Sequence, residues 1–464
     1  MPSIRAAAPT ISDTRPIHLV GIAGAGMSAL AELLARRGTP LTGCDMNPSA
    51  AHDLERLGVA IASGHDPSHV DAASSLVVTS AIPKDHPELA RARSLGIPVV
   101  RRAEALAQAV SMGNVIGVAG THGKTTTTVM TTEALAAAGL APTGIAGGRV
   151  GSWAGNLSAG GDGLFVVEAD EYDRSFLALT PAVAVVTNVE ADHLDIYADL
   201  ADIRAAFAQF VRGARAIVLC GDDPGATSLP TPATAEVIRY GLVSRDARLV
   251  ASDLRAEQGG SRFTVRYDGK PLGEAVLRVP GQHNVLNALA ALASGLALGA
   301  DARKMLSGLE RFTGVERRFE RVGDALGVTV IDDYAHHPTE IRATLAAARA
   351  AFPGRRIVAA FQPHLYTRTR DFAADFGTAL ASADAIYLTE IYPAREQPIP
   401  GISASLIERA ALDAGATISW RGERSALASA LAAGVKAGDI VLTIGAGDIT
   451  RTGRELLARL TAAA

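Results

Sequence analysis

The feature that most limits how this chain can fold is a regular alternation of short apolar runs with alanine- and leucine-rich stretches of helical length. Runs such as IHLVGIA, NVIGVAG and DIVLTIGAG are apolar almost throughout. Strands of this kind are buried on both faces, as in parallel sheets that are covered by helices. The alternation restarts twice, near the turn-like stretches 111–113 and 313–315. We therefore predict an α/β protein with three tandem domains, at 1–110, 111–313 and 314–464.

One segment of the central domain departs from this pattern. The stretch RFTVRYDGKPLGEAVLRVPG is rich in β-forming residues and contains Asp268-Gly269. An Asp-Gly pair between two such runs is typical of a two-residue hairpin turn. We expect antiparallel strands on either side of it.

Composition excludes several classes of protein. The chain has 464 residues, of which 48% are hydrophobic and 20% charged, as in ordinary globular proteins. Its formal net charge of -4 gives no basic field for nucleic acid. The first residues lack the apolar core of a signal peptide, and the apolar run 288–300 is too short to cross a bilayer. We expect a cytoplasmic protein with neither a nucleic-acid nor a membrane partner, as a monomer or homodimer.

The two cysteines are far apart in the sequence. Cys44 and Cys220 form no C-x-x-C motif. Neither a disulfide framework nor a zinc site is indicated by this spacing.

The strongest motif is the glycine-rich stretch GTHGKTT at 120–126, between an apolar strand and a helical segment. Backbone N–H groups at such a helix start, together with a lysine, bind phosphate oxygens. The chain has only five lysines, and the presence of one of them, Lys124, within this motif favours a function for it. Val118 stands where the usual phosphate-loop spacing has glycine, so the loop is a shortened one.

A second glycine motif, GIAGAG, follows the first strand and contains Gly24 and Gly26. Its spacing differs from that of dinucleotide-binding proteins, so it predicts a diphosphate site only weakly. Glycines that merely allow tight packing of strand and helix are the alternative. Ser80 follows another predicted strand and is a similar candidate.

Two acidic clusters follow predicted strands of the central domain. They are EADE at 168–171 and EADH at 190–193. Ligands of open α/β sheets bind at the carboxyl ends of the strands. Carboxylate, imidazole and hydroxyl groups there suit Mg²⁺ or Mn²⁺ on a nucleotide better than zinc.

The C-terminal part contributes polar groups at two strand ends, DDYAHHP at 332–338 and QPHLYTRTR at 362–370. Arg368 and Arg370, beside His364, are candidates for carboxylate binding, and surface arginines are the alternative. Adjacent His336 and His337 are expected to point to opposite sides of an extended chain. Upstream, Gln282 or Asn284 is a candidate helix cap, and Asn287 a candidate adenine contact.

Taken in order, the motifs resemble those of the Mur ligases. They are VGIAGAGMSALA (20–31), TSAIP (79–83), GTHGKT (120–125), EADE (168–171), TNVEADHLD (187–195), GQHNVLNA (281–288), DDYAHHP (332–338) and QPHLYTRTRD (362–371). This resemblance implies a Rossmann-like UDP-binding domain, a phosphate-loop ATPase-like domain and a second Rossmann-like domain that binds an amino acid. It also implies an ATP- and Mg²⁺-dependent ligase that joins L-alanine to the lactyl carboxylate of UDP-N-acetylmuramate, through an acyl phosphate.

The resemblance also implies roles for individual residues. ATP would be bound by Gly120, Thr121, His122, Gly123, Lys124, Thr125, Thr126, Asn287, Asp333 and Tyr334, and Mg²⁺ by Thr125, Glu168 and His193. Arg318 would approach the γ-phosphate across the domain junction. His364, Tyr366 and Arg368 would face the alanine and the muramyl carboxylate, and Gly24, Gly26 and Ser80 the UDP group. Lys124, His193, Arg318, His364 and Arg368 would thus be the catalytic residues.

Three alternatives remain at this point. A recycling ligase would attach a preformed peptide to the same nucleotide sugar. A dinucleotide-dependent oxidoreductase would account for the first domain and leave the GKT motif unexplained. A nucleotide sensor would bind ATP without chemistry. One departure from the family pattern is Leu365, where many relatives have arginine.

Overall fold

The structure is a computed structural model that describes residues 14–79, 82–257 and 259–462. These residues form two compact units. The first takes the chain up to Ala247 together with Ala290–Met305, and the second comprises Arg248–Leu289 together with Leu306–Ala464. Within the described residues, no helix is both long enough and apolar enough to cross a membrane. Ser80 lies outside the described residues, so its predicted role has no structural counterpart here.

The first unit opens with a five-stranded sheet in the order β3-β2-β1-β4-β5. All of its strand pairs are parallel, as predicted. The strands are β1 (Ile17–Val20), β2 (Leu41–Asp45), β3 (Ala60–Ser63), β4 (Ser75–Val78) and β5 (Val99–Arg101), and the helices are α1 (Ala25–Arg36), α2 (His52–Glu55), α3 (Pro87–Ser94) and α4 (Arg102–Val110). This order is the one seen in doubly wound, Rossmann-like folds.

A second sheet of the first unit has the order β12-β11-β10-β6-β9-β7-β8. The pairing is parallel except for the edge hairpin β7–β8. Its strands are β6 (Asn114–Ala119), β7 (Thr143–Val150), β8 (Gly155–Ser158), β9 (Leu164–Glu168), β10 (Val183–Val186), β11 (Ala216–Cys220) and β12 (Glu236–Gly241). The accompanying helices are α5 (Lys124–Ala137), α6 (Leu200–Val211) and α7 (Pro224–Thr227).

The central strands of this sheet explain why it forms from this sequence. Strands β10 and β11 are buried at every position and consist mainly of valine, isoleucine, leucine and alanine. Such strands are stable only with helices on both faces. On α5, eight consecutive residues from Thr125 to Thr132 are buried, and the hydroxyls of Thr131 and Thr132 donate to carbonyls one turn back. The helix that follows the GKT motif is therefore embedded in the core.

The second unit begins with an antiparallel meander of β13 (Leu249–Glu257), β14 (Gly260–Tyr267) and β15 (Lys270–Leu277). The predicted hairpin turn is confirmed, since Asp268 and Gly269 have φ of 48° and 76° between the paired residues Tyr267 and Lys270. Positive φ at both positions is the requirement of a type I′ turn.

A six-stranded sheet with the order β16-β17-β21-β18-β19-β20 completes the second unit. Only the edge strand β16 is antiparallel to its neighbour. The strands are β16 (Glu320–Ala325), β17 (Val328–Asp333), β18 (Ile357–Phe361), β19 (Ala385–Thr389), β20 (Ile418–Gly422) and β21 (Ile440–Ile444). The later helices of the chain are α8 (Gln282–Leu296), α9 (Ala302–Arg311), α10 (Pro338–Ala351), α11 (Tyr366–Leu380), α12 (Ser405–Asp413), α13 (Arg424–Gly434) and α14 (Thr450–Ala462).

Candidate active site

The GKT motif forms a tight loop between β6 and the start of α5. Gly120 has φ of 141°, and a Cβ there would lie 1.9 Å from Thr187 Oγ1. Gly123 has φ of 80° and caps α5. Only glycine adopts these conformations at this closeness without strain. The loop therefore turns the first N–H groups of α5 toward one point, where the helix dipole favours an anion.

The segment 187–190, which follows β10, holds this loop in place. The hydroxyl of Thr187 donates to His122 O at 2.6 Å, and His122 N donates to Asn188 Oδ1 at 2.7 Å. Glu190 N donates to Thr121 Oγ1 at 2.9 Å. The motif TNVE thus supports the phosphate loop from the neighbouring strand. This contact accounts for the occurrence of both motifs in one chain.

Lys124 folds back over the loop and meets a buried carboxylate. Its Nζ donates to Gly120 O at 2.8 Å and lies 2.8 Å from Glu171 Oε2. Burial alone would lower the pKa of Lys124, but Glu171 and then Asp170 raise it above its usual value. Burial would likewise raise the pKa of Glu171, but Lys124 and His193 lower it. Both side chains are charged at neutral pH, and each neutralises the other.

Thr125 and Glu168 form a second contact at the same place. The Thr125 hydroxyl donates to Glu168 Oε1 at 2.9 Å, and Gly147 N donates to Glu168 Oε2. A Cβ on Gly147 would lie 2.7 Å from the Glu168 carboxylate, so β7 approaches it as closely as a glycine allows. Burial raises the pKa of Glu168, against the opposing effects of Gly147 N–H and Lys124.

These oxygens fit a magnesium ion. Mg²⁺ takes oxygen ligands at about 2.0–2.1 Å in octahedral geometry, which places neighbouring ligands about 3 Å apart. The 2.9 Å between Thr125 Oγ1 and Glu168 Oε1 matches that separation. The raised pKa of Glu168 also indicates a buried carboxylate without sufficient positive charge around it, which a divalent cation would supply.

His193 lies next to this pair of contacts, against Glu171. Its Nε2 is 3.5 Å from Glu171 Oε1 and 3.7 Å from Asp192 Oδ2. Burial would lower the pKa of His193, but the Glu171 and Asp192 carboxylates raise it. The structure thus groups Lys124 and His193 around the Glu171 carboxylate. Glu171 belongs to the EADE motif but had no role in the sequence analysis.

A cavity of about 220 Å³ in the first unit is bordered by the glycine motif GIAGAG and by the acidic motif EADE. It is lined by Gly24, Ala25, Gly26, Met27, Thr79, Arg102, Leu106, Ile145, Ala146, Gly147, Glu168 and Asp170. The glycine loop of the first sheet and the Glu168 carboxylate of the second therefore border the same space. The predicted diphosphate site lies beside the predicted metal site.

Arg102 is a residue of this cavity that the sequence analysis missed. A Cβ on Gly26 would lie 2.9 Å from Arg102 Nη1, so the guanidinium covers this glycine. The loop itself is fixed by Asp45, whose Oδ2 accepts a hydrogen bond from Ala23 N at 3.0 Å. A guanidinium over a glycine loop at the start of α1 is an arrangement that binds phosphate. The signal in the sequence was a pair of arginines, Arg101 and Arg102, after the apolar run at 97–100.

The second unit brings together Asp333, Tyr334 and two arginines. Burial raises the pKa of Asp333 to about 6, and Arg318 opposes this effect. Asp333 accepts hydrogen bonds from Phe319 N and Ala335 N, each at 2.8 Å. The guanidinium carbons of Arg317 and Arg318 lie 4.7 and 5.0 Å from the centre of the Tyr334 ring. Cations held over an aromatic face in this way are fixed in position.

A chain of contacts runs from Arg318 to the second histidine motif. Arg318 Nη1 is 4.0 Å from Glu340 Oε1, and His336 Nδ1 is 3.3 Å from Glu340 Oε2. The rings of His336 and His364 have centres 6.2 Å apart, and Arg368 Nη1 is 3.4 Å from His364 Nδ1. The predicted residues Arg318, His364 and Arg368 thus belong to one cluster of the second unit.

Other predicted residues of the second unit lie at or near the starts of α10 and α11. His337 caps α10 by accepting from Thr339 N. Arg370 is exposed and paired with Asp371 next to it, which is the surface position named as the alternative to ligand binding. Tyr366 is the first residue of α11. Leu365 before it is buried and has φ of 70°, a rare conformation for this residue type.

At the start of α8, the predicted caps are wrong. Gln282 and Asn284 lie inside the helix, and the Asn284 amide donates back to Pro280 O at 2.7 Å. Asn287 is buried, and its amide nitrogen is 3.3 Å from Asn284 Oδ1. Asn284 therefore positions the side chain of Asn287 rather than capping the helix.

Comparison with known families gives three matches in sequence order. They are Mur ligase family, catalytic domain, at residues 16–113; Mur ligase middle domain at 118–295; and Mur ligase, glutamate ligase domain, at 317–447. The chain belongs to the Mur ligase family. The phosphate loop lies in the middle-domain match, and the cluster around His364 lies in the third match.

Individual Mur ligases are similar to the chain over nearly its whole length. A UDP-N-acetylmuramate–L-alanine ligase of Salinibacter ruber is 44% identical over 96% of this chain and 94% of its own. The structure is similar to that of a UDP-N-acetylmuramate-alanine ligase of Thermotoga maritima, with a TM-score of 0.83 at 30% identity, over 97% and 100% of the two chains. A murein peptide ligase of Psychrobacter arcticus gives 0.71 at 26%, over 96% and 98%.

Proposed function

We propose that this Mur ligase joins L-alanine to the lactyl carboxylate of UDP-N-acetylmuramate at the expense of ATP, in peptidoglycan precursor synthesis. The observation that carries the proposal is the cavity shared by the glycine loop at Gly24–Gly26 and the Glu168 carboxylate, next to the phosphate loop. Such a cavity would present an acid on a nucleotide sugar to the terminal phosphate of ATP. The likeness to alanine ligases supports the choice of amine.

The phosphate loop binds the β- and γ-phosphates of ATP in this proposal. Gly120 to Thr126 supply N–H groups, and Lys124 exchanges its contact with Glu171 for the phosphate oxygens. Thr125, Glu168 and His193 would hold Mg²⁺, and the ion would supply positive charge for the transferred phosphoryl group.

The UDP group of the acid substrate binds in the cavity of the first unit. Its diphosphate lies on the backbone of Gly24 and Gly26 at the start of α1, and Arg102 pairs with it from above. Ser80 is a further proposed contact. This placement directs the lactyl carboxylate toward the Glu168 end of the cavity.

The second unit supplies the remaining groups. Asn287, Asp333 and Tyr334 are proposed to contact the nucleotide, and Arg318 the γ-phosphate. His364, Tyr366 and Arg368 are proposed to bind the alanine carboxylate and to orient its amine. The guanidinium groups of Arg318 and Arg368 are held by aromatic and imidazole neighbours, so they need little reorganisation.

The reaction follows in two transfers. A lactyl carboxylate oxygen attacks the γ-phosphorus, the bond to the β-phosphate oxygen breaks, and ADP leaves. The alanine amine then attacks the acyl carbon, loses a proton, and expels phosphate. Both steps concentrate negative charge, which Lys124, Arg318 and the N–H groups of the loop stabilise. One carboxylate oxygen ends in the released phosphate.

The domain boundaries and location are proposals as well. We propose boundaries at 1–110, 111–313 and 314–464, and the positions of the three family matches support them. A cytoplasmic location fits a chain whose described helices include no membrane-spanning candidate.

Two assays test the proposal. In the first, UDP-N-acetylmuramate carrying ¹⁸O in its carboxylate should yield labelled inorganic phosphate, and unlabelled phosphate would refute carboxyl activation. In the second, phosphate release with UDP-N-acetylmuramate is compared across single amino acids and a free tripeptide with an unblocked amino group. We expect L-alanine to be preferred. A preference for the tripeptide would instead indicate the recycling ligase of the alternative interpretation; the Psychrobacter arcticus relative is a murein peptide ligase.

A further inference from the structure

Six side chains gather on one face of the N-terminal sheet, and the proposed ligase reaction uses none of them. They are His18, Cys44, His65, His69, His86 and Glu88, which we call the histidine–cysteine cluster. His18 and Cys44 come from β1 and β2, while His65 follows β3 and His69 lies in the 3₁₀ turn Pro67–Val70. Glu88 is in the first turn of α3, just after His86.

The centre of the histidine–cysteine cluster is fully enclosed. Glu88 and Cys44 are 0% exposed, and His18 is 1% exposed. An ionised carboxylate in such a place needs a compensating charge, because its transfer out of water costs several kcal/mol. Among the described residues, the contacts with Glu88 come from Cys44, the four histidines and one backbone N–H, and none comes from a lysine or arginine.

The donor atoms are spaced as ligands around one ion. Glu88 Oε1 is 3.1 Å from Cys44 Sγ, 2.8 Å from His69 Nδ1 and 3.9 Å from His18 Nε2. One ligand atom from each of these four residues lies within 4.8 Å of every other. Tetrahedral zinc with bonds of about 2.0–2.3 Å places its ligand atoms about 3.3–3.8 Å apart. Small shifts of these four side chains would therefore bring their donor atoms to the spacing that zinc requires.

One buried ring nitrogen of the cluster, which lacks a hydrogen-bond partner, indicates that a further ligand such as a metal ion binds there. His18 Nε2 is buried and has no hydrogen-bond partner among the described residues. The other ring nitrogen, Nδ1, is 2.9 Å from Thr42 Oγ1. A hydrogen bond there fixes the ring and directs the Nε2 lone pair into the cluster, as the outer partners of metal-bound histidines do. His86 Nδ1 is a second buried atom without such a partner.

We propose that the histidine–cysteine cluster binds one Zn²⁺ through His18 Nε2, Cys44 Sγ, His69 Nδ1 and Glu88 Oε1, with His65 and His86 beside it. Imidazole and thiolate ligands select zinc over magnesium, so this site differs in chemistry from the oxygen ligands at Thr125 and Glu168. It also differs in place, because none of the four residues lines the cavity at Gly24 and Gly26.

The position of this site indicates a structural function. Its ligands join two strands, a 3₁₀ turn and α3, which are otherwise held by the small apolar cluster around Val20, Leu76 and Leu89. A metal bound only in the folded state adds its binding free energy to stability. Four protein ligands leave no open position for a reacting water, unlike a catalytic zinc site. Zinc therefore fastens α3 to the sheet.

Cobalt spectroscopy of the whole chain tests the proposal. Protein treated with a chelator and kept free of nucleotide is titrated with Co²⁺, then with Zn²⁺. We expect one Co²⁺ per chain with a thiolate-to-metal charge-transfer band, loss of the band when Zn²⁺ is added, and a higher Tm with Zn²⁺. Cys44→Ser should abolish the band, and Thr42→Val should weaken binding about tenfold or more.

Matched variants locate the ion. Cys220→Ser changes the other buried cysteine and should leave the band intact, and so should His193→Ala, which changes the proposed magnesium site. His69→Asn removes a half-buried ligand. This variant replaces Cys44→Ser in the test if Cys44→Ser fails to fold. The proposal is overturned if no thiolate band appears, if the band survives in Cys44→Ser, or if saturating UDP removes it, since that would place the histidines in the nucleotide site. Its failure leaves the ligase assays unaffected.

Discussion

The ammonium of Lys124 lies 2.8 Å from the carboxylate of Glu171, inside the loop that is built to hold phosphate. His193 touches the same carboxylate from the other side, at 3.5 Å. The three side chains therefore form one charge-balanced group. In the proposed reaction, a phosphate that enters the loop would replace Glu171 as the partner of Lys124.

Substitution of Lys124 by alanine is expected to lower turnover by about 10²–10³-fold or more, because the residue acts on charge that develops during transfer. Phosphate release under saturating substrates measures this loss. Lys270→Ala, at the exposed turn between β14 and β15, is the control and should keep normal turnover. Comparable activity of a folded Lys124→Ala protein would refute the assignment.

The same variant leaves the buried Glu171 without its main partner. We expect Lys124→Ala to have a lower Tm than wild type. The double variant Lys124→Ala/Glu171→Gln should regain much of the lost Tm, because burial of a neutral amide costs less free energy than burial of an unpaired carboxylate. Turnover should stay low in both. If the double variant were no more stable than the single one, the ion pair would not be the source of the loss.

Replacement of the Thr125 hydroxyl is expected to weaken the response to magnesium. Thr125→Val keeps the shape of the side chain but removes an oxygen that lies 2.9 Å from Glu168. The Mg²⁺ concentration for half-maximal activity should rise about tenfold or more. Thr131→Val, which removes a hydroxyl that donates to Thr127 O on the same helix, should leave the Mg²⁺ curve unchanged. Equal curves for both variants would contradict the proposed site.

Addition of one methyl group at Gly147 is expected to displace Glu168. The new Cβ would lie 2.7 Å from the carboxylate, so the side chain must move away from Thr125. We expect Gly147→Ala to lose about tenfold or more in activity, with a similar requirement for more Mg²⁺. At Gly151, nothing lies within 4 Å of an added Cβ, and Gly151→Ala should behave as wild type. Full activity of Gly147→Ala would show that Glu168 is dispensable.

Acid is expected to destabilise the second unit through His283. Burial and then Arg318 lower the pKa of His283 to about 4, from an ordinary value of 6.5. Below pH 6.5 the unfolded chain binds a proton that the folded chain excludes, so stability falls by about 1.4 kcal/mol per pH unit until about pH 4. The contribution of neutral His283 to the free energy of unfolding is thus present in full above pH 6.5 and is lost on acidification.

The measurement is the Tm at pH 7 and at pH 5 for wild type and His283→Gln. Other titrating groups are common to both proteins, so the difference isolates residue 283. The variant should lose less Tm on acidification than wild type. His52→Gln, at an exposed histidine, should match wild type at both pH values. An equal loss in wild type and His283→Gln would contradict this role.

The sequence predicted the central strands well because they are apolar runs buried on both faces, such as β10 and β21. Edge elements were missed. The hairpin β7–β8 contains Gly144 and Gly147, and the edge strand β20 alternates between half-buried and exposed residues. Edge strands pack on fewer neighbours, so their sequences carry a weaker periodic signal.

For the site, the sequence revealed the residues that lie in motifs and missed those that act through long-range contacts. Lys124 and Thr125 stand beside glycines, whereas Arg102 reaches Gly26 from α4. Glu171 was visible as an acid, but only the structure pairs it with Lys124. The histidine–cysteine cluster is spread from residue 18 to residue 88 and holds a single cysteine, so cysteine spacing carried no sign of it.

The pairing of Lys124 with Glu171 also bears on the hydrolysis of ATP without the acid substrate. The ammonium that would stabilise the transferred phosphoryl group is held by a carboxylate within the loop. We therefore expect Lys124 to exchange partners before transfer, and we expect ATP hydrolysis by water to be slow when UDP-N-acetylmuramate is absent.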